Sequence, residues 1–266
     1  MSFRFLAALG LAVVLACVPP LEPIPTVPTQ LLIQAVLDGN SRFQMISVER
    51  TDNGVTGSGA VTGAIVEIVT PSGFSMRADE NVTTPDGRAH WNGMYVVDLA
   101  KFGVFRIEPR SQYKLNVRLA NAVDSATGTT DVPGPDAPIV ASRSPFNRET
   151  DTLRLSWHPA VGATKYQVTI ECAVTVPRVG TTFYKYQVFA DTSVEIVGTA
   201  RTLQNDPVFY PGSSATVTVH AVDNNYYSYY HTTTDPFAGS PPSRLHGALG
   251  VFGSMSLIQH TTFRVQ

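Results

Sequence analysis

Histidines come first among the residues that could do chemistry, and the six here form no ligand set: His90, His158, His220, His231, His246 and His260. No two stand at the i, i+4 spacing of a helical zinc site, and no cysteine cluster accompanies them. His220 lies between Val219 and Ala221 on an alternating run, so it is expected to face solvent or the sheet face away from the core. Gly57-Ser-Gly59-Ala-Val-Thr-Gly63 has the glycine density of a dinucleotide loop, but its spacing is off by one and no helical pattern follows; a hairpin loop is the better reading. A Gly-x-Ser-x-Gly elbow is absent. Carboxylates such as Asp223 and Asp235 are scattered, and sequence alone cannot pair them for glycoside hydrolysis. No catalytic residue, metal ligand or cofactor is expected.

The densest feature is aromatic. Asn224-Asn-Tyr226-Tyr227-Ser-Tyr229-Tyr230-His231 carries four tyrosines in five positions. As a strand it would show rings on both faces; as a helical turn Tyr226, Tyr229 and Tyr230 would share a side and Tyr227 would splay away. Tyrosines offer contact area at low entropy cost, so these four are candidate contacts for a ligand or partner. The rival expectation is that they plug the end of a domain and pack on the C-terminal tail. Of the two cysteines, Cys172 shares an alternating face with Tyr166, Val168 and Ile170 and reads as a core thiol.

Cys17 is different. One cation, Arg4, precedes a twelve-residue apolar run that ends at this cysteine. The run is too short to span a bilayer and has the build of a secretory h-region. Val14-Leu15-Ala16-Cys17 resembles the bacterial lipobox, which implies acylation of Cys17 as the mature N-terminus. Val18 in the next position resembles outer-membrane sorting. Five prolines then fall within residues 19–28, and such chain favours an extended spacer over a helix.

These residues need elements to position them. Charged residues are only 15% of the chain and the net charge is −2, with no basic run, which argues against a nucleic-acid partner. Short apolar runs separated by Gly and Pro have the composition of an all-β protein. Leu31-Leu-Ile-Gln-Ala-Val-Leu37, the turn Asp38-Gly39-Asn40 and Phe43-Gln-Met-Ile-Ser-Val48 predict a hairpin, and residues 50–63 a polar loop. Tyr113, Leu115, Val117 and Leu119 alternate on one face. The glycines at 247, 250 and 253 predict close backbone approach, and the apolar residues among them a tail that folds back onto a sandwich and covers the tyrosines.

Gly63-Ala64, Tyr95 and Tyr113-Lys-Leu115-Asn-Val117 resemble the carboxypeptidase-regulatory or transthyretin-like sandwiches, with Arg110 in place of the usual Gly. Leu153-Arg-Leu155-Ser-Trp157-His-Pro159, Gly162-Ala163 before Tyr166-Gln-Val168, and Tyr210-Pro211-Gly212 before Ala215-Thr-Val217-Thr-Val219 resemble a fibronectin type III domain. Ala215 stands where that family has its corner tyrosine. The expected fold is therefore all-β, two tandem antiparallel β-sandwiches. Its expected parts are a signal peptide (1–16), a lipidated, Pro-rich linker (17–29), an N-terminal sandwich (30–133), a linker (134–138), a fibronectin-like domain (139–225) and an aromatic C-terminal segment packed on a sandwich (226–266).

With the closing Gly247-Ala-Leu-Gly-Val-Phe-Gly-Ser254, the whole resembles uncharacterised Gram-negative envelope lipoproteins that carry a domain of unknown function and are often found beside TonB-dependent outer-membrane transporters. The resemblance implies a non-catalytic, membrane-anchored accessory whose partner is an outer-membrane transporter or a surface glycan. The other reading is a carbohydrate-active or peptide-hydrolysing surface enzyme with dispersed residues. A cleft with two facing carboxylates, or a perturbed His–Asp pair, would separate the two.

Overall fold

A computed structural model describes residues 29–52, 55–80, 92–120, 124–134, 140–141, 145–176, 180–234 and 242–266. Cys17 with the expected signal peptide before it, His90, Asp235 and most of the 134–138 linker lie outside the described residues.

The chain folds as an all-β protein of two sandwiches. The first comprises β1 (Leu31–Asp38), β2 (Phe43–Asp52), β3 (Val55–Ala60), β4 (Ile65–Val69), β5 (Ser75–Arg77), β6 (Asp79–Glu80), β7 (Met94–Asp98), β8 (Gln112–Arg118) and β9 (Ser125–Asp131), with apolar residues alternating most clearly in β1, β4 and β8. One layer runs β1-β2-β7 and the facing layer β5-β4-β8-β9. Ile33, Ile46, Val48 and Val97 meet Val66, Ile68, Leu115 and Val117 between them, all fully buried. Two buried tyrosines brace this core through their hydroxyls. Tyr95 accepts from Ala64 N at 2.9 Å and donates to Val61 O at 2.8 Å, and Tyr113 accepts from Glu108 N at 2.9 Å. The stretch expected as a polar loop instead supplies β3, paired antiparallel with β2. A ladder uses backbone groups only, so a Gly- and Thr-rich run can line the edge of a well-formed strand without apolar side chains.

The second sandwich has β10 (Val140–Ala141), β11 (Thr152–Ser156), β12 (Lys165–Val176), β13 (Gly180–Ala190), β14 (Ser193–Val197), β15 (Ser214–Val222) and β16 (Leu249–Arg264). A β10-β11-β14 layer faces β13-β12-β15-β16. Trp157 and Tyr166 pack edge-on in its core at 5.1 Å between centroids, and Cys172 is fully buried with Sγ 3.3 Å from Val208 O. At the corner where Ala215 replaces a tyrosine, the Ser213 hydroxyl donates to Tyr210 O at 2.6 Å, and Tyr210 stacks on Tyr184 at 4.0 Å.

The two sandwiches share one sheet. β16 begins beside β1 in parallel register, Leu32 opposite Leu249 through Asp38 opposite Met255. From Met255 onward it pairs antiparallel with β15, Val222 opposite Met255 through Ser214 opposite Arg264. The result is a nine-stranded sheet in the order β13-β12-β15-β16-β1-β2-β7-β6, with β3 added at β2. Phe252 from the first half of β16 enters the first core, and Phe263 and Val265 from its end enter the second. The tail is thus one long strand belonging to both sandwiches. Gly250, at φ +106°, makes this crossing feasible, since a Cβ there would lie 2.0 Å from Ile33 O.

Candidate functional site

The tyrosine run forms helix α1 (Asn224–Thr234), directly after β15. Tyrosine is a modest helix former, so local cues must decide. Asp223 supplies the cap: its Oδ1 accepts from Tyr226 N at 2.9 Å. Gly253 supplies the seat, since a Cβ there would lie 2.8 Å from Tyr226 N. A helix can lie that close to β16 only over a glycine.

Helical spacing then sorts the rings. Tyr226 and Tyr229 are buried, Tyr227 and Tyr230 half-buried, and His231 exposed. Tyr226 and Tyr230, one turn apart, sit 4.5 Å between centroids; Tyr227 and His231 sit 5.0 Å apart. Phe189 of β13 meets Tyr226 and Tyr227 edge-on at 6.3 and 5.2 Å. Lys165, ion-paired with Asp191, holds its ammonium 5.9 Å from the Tyr227 ring. Burial raises the hydroxyl pKa of Tyr226 to about 12, and Tyr230 is raised for the same reason.

Beside this helix lies a cleft of about 680 Å³. Its floor is Val36, Met255 and Gln167; its walls are Tyr226, Tyr230 and His231 on one side and Tyr186 to Phe189 with Arg201 and Leu203 on the other. The volume falls in the range of small-ligand sites, and apolar surface with a few amides and hydroxyls suits hydrogen-bonded recognition. A second depression of about 330 Å³ lies on the far side of Tyr230 and Met255, lined by Phe43, Met45 and Met94. Tyr230 and Met255 are the ridge between them.

Two groups resemble catalytic ones without the required geometry. Asp223 is buried, and loss of hydration pushes its carboxyl above the ordinary value. Four donors act against that shift: the Thr130 hydroxyl at 2.8 Å and the amides of Tyr226, Ser254 and Asn225. The carboxylate is fully engaged and serves as a joint. Around it, Ser254 Oγ donates to Asp131 O at 3.0 Å, Ser256 Oγ to Pro133 O at 2.8 Å, and Asn225 Nδ2 to Thr129 O at 2.6 Å, tying the first sandwich to β16 and α1. His220 faces away from the second core, opposite Leu257 at a register shift. Burial lowers its pKa, Asp38 raises it and Lys185 lowers it, yet its Nδ1 has no hydrogen-bond partner, so it forms no dyad with Asp38. His158, His246 and His260 are exposed and far apart in the topology. Among the described residues no group of three or more His, Cys, Asp and Glu could hold a metal ion.

Of the four tyrosines singled out by sequence, Tyr226 and Tyr230 line the cleft, Tyr227 stands beside it against Phe189, and Tyr229 is buried against Tyr230 at 5.2 Å. Sequence reasoning missed Gln167, Gln187, Phe189, Arg201, Leu203 and Met255. The one available signal was Phe189, an aromatic on the polar face of an alternating strand.

A family model described as a domain of unknown function (DUF4249) matches residues 19–264. A search of curated proteins returned no match. Among solved structures, a cytokine receptor complex is similar at 10% identity and a TM-score of 0.28, covering 87% of this chain and 95% of that one. The FN1–FN3 domains of chicken CNTN1 are similar at 18% identity and a TM-score of 0.27, covering 91% and 68%. Scores this low bear on neither fold nor function.

Proposed function

Taking as premise that the chain belongs to the DUF4249 family, we propose that it is a lipid-anchored, non-catalytic protein of the bacterial envelope that binds a partner through the cleft beside α1. The cleft carries this reading. It is sizeable, lined by aromatic and thioether side chains, and its polar groups are amides, hydroxyls, a guanidinium and an imidazole, which hold a ligand without transforming it. The anchor rests on the apolar run ending at Cys17, and the Pro-rich residues after it act as the spacer between membrane and sandwich. Val18 points to the outer membrane, with an outer-membrane transporter as the partner.

The rings favour a protein partner over a glycan. Phe189 meets Tyr226 and Tyr227 edge-on, and Tyr226 is 8% exposed, so these rings offer little open face for a sugar to stack on. The test is a photo-crosslinking residue at Tyr230 in cells producing the full chain, with mass spectrometry of the mature N-terminus. The expected result is an acylated Cys17 and a cross-link to an outer-membrane protein that Phe189→Ala weakens. An unacylated N-terminus elsewhere overturns the anchor; cross-linking only to glycan overturns the protein partner.

A further inference from the structure

We propose that the partner docks at the rim of the cleft as an extended segment that adds as a strand to the free edge of β13 and carries an acidic residue opposite Lys185. This deepens the reading of the cleft as a partner site and rests on it.

Tyr186, Gln187, Val188 and Phe189 all contribute to the lining, and consecutive residues of a strand point to opposite faces. A cavity that touches four in a row reaches the backbone of β13, and only the side away from β12 carries unpaired backbone groups, because β12 pairs with β13 along its whole length. The cleft is therefore open to the backbone donors and acceptors of β13. A smaller hollow continues it along Tyr184, Lys185 and Tyr186, walled by Thr202 to Val208. That wall is braced from within: Thr202 N donates to Asp206 O at 2.8 Å and Arg201 Nη1 to Asn205 O at 2.7 Å. Leu203, 92% exposed, projects from it.

The edge itself is blunted by one lysine alone. Sheets blunt their edges with short strands, charges, prolines or bulges. The opposite edge of the nine-stranded sheet follows that rule: β6 is two residues, Asp79 and Glu80, both acidic. The edges of the three-stranded sheet are two and five residues, and β9 is bridged at Thr127 by His246. β13 breaks it. It has 11 residues, no proline, one charge and no register shift over its whole pairing with β12. Its outward backbone groups pair with no other described strand. A strand left so open is matched to an incoming one.

Charge selects the occupant. Lys185 is the central residue and sole charge of β13; Glu171 of β12 lies 4.0 Å from its ammonium on the paired side, both side chains are half exposed, and the side toward the free edge has no acidic neighbour among the described strands. A second copy pairing antiparallel about the strand centre would set Lys185 against itself, and like charges directly opposite are unfavourable. A partner strand with Glu or Asp at that position is favoured instead, with its apolar residues directed at Phe189 and Leu203.

The test uses the full mature chain and a defined probe, acetyl-Val-Thr-Val-Thr-Glu-Thr-Val-Thr-Val-amide, whose valines share the face of the glutamate and reach the position opposite Phe189, read by calorimetry and by hydrogen exchange of β13. Two versions are N-methylated at alternate amides in complementary sets, so that only one set blocks ladder bonds. The expected result is binding with new protection at 184–189, loss of at least about tenfold in affinity for one methylated version and little change for the other. Lys185→Glu should reverse the preference between the Glu probe and its Lys counterpart. No binding at millimolar probe, equal binding of both methylated versions, or a concentration-dependent dimer that the probe cannot dissociate overturns strand addition. If binding ignores methylation but falls in Phe189→Ala, the strand idea fails while the cleft reading stands. If the Tyr230 cross-link fails, the cleft reading fails by itself.

Discussion

Asp223 is the residue at which the two sandwiches, the long strand and the aromatic helix depend on one side chain, and replacing it tests that design. In Asp223→Ala, α1 loses its cap, worth about 1 kcal/mol. The buried Ser254 amide, 3.1 Å from Oδ1, loses its acceptor, which costs about 1–3 kcal/mol. The Thr130 hydroxyl is spared a full penalty because Ser254 Oγ lies 3.0 Å away. The net loss is about 2–4 kcal/mol by these terms. Asp223→Asn keeps Oδ1 in place for both amides, and its new NH₂ can donate to Thr130 Oγ1, so it should cost less than about 1 kcal/mol. The sign with pH follows from the raised carboxyl pKa: the folded state holds the proton more tightly than the unfolded chain. Stability attached to this group is therefore greatest below the unfolded value of 3.8 and falls as pH rises through the folded one. The Asn variant lacks that fall and should gain on the native protein as pH increases. Urea unfolding followed by Trp157 fluorescence measures all of this. One cooperative transition is expected, because the sheet is shared. Equal losses for Ala and Asn, or two separate transitions, would refute the role assigned to Asp223 as a hydrogen-bonded joint.

Four further outcomes follow from individual positions. Trp157→Ala should cost about 3–5 kcal/mol through the void it leaves, while Trp157→Phe should cost far less, because the buried indole Nε1 has no partner to lose; thermal or urea melts compare them. Gly253→Val should lift α1 off β16, seen as loss of helical circular dichroism with the β signal retained. His220 has a pKa held below 6.5, chiefly by burial, so stability should fall as pH drops below 6.5 and His220→Gln should flatten that fall in melts at pH 5 and 7. In an ultraviolet titration Tyr226 and Tyr210 should ionise near pH 12, and Tyr226→Phe should remove one late step.

What could be read from sequence was whatever strand period alone decides. Tyr113, Leu115 and Val117, or Leu153, Leu155 and Trp157, alternate so regularly that only one face can be the core, and each lies there. What could not be read depends on partners distant in the chain. Nothing local to residues 249–264 says that the first half will pair with Leu31–Asp38 and the second with Ser214–Val222, because register between remote strands is set by both at once. The tyrosine run left strand and helix both open for the same reason. Its choice is made by an aspartate just before it and a glycine 27 residues after Tyr226, the distance separating Asn225 from the Phe252 carbonyl it also binds. The cleft is a third-order consequence, existing only once α1 lies on the shared sheet and β13 is left at its rim. Such a site is invisible to motif reasoning because its parts come from β1, β12, β13, the 201–208 loop, α1 and β16, which span most of the chain and form no single pattern. It is built by the C-terminal strand, which joins the sandwiches and so fixes the helix over the sheet; a change that unzips β16 from β1 should dissolve the cleft before it unfolds either core.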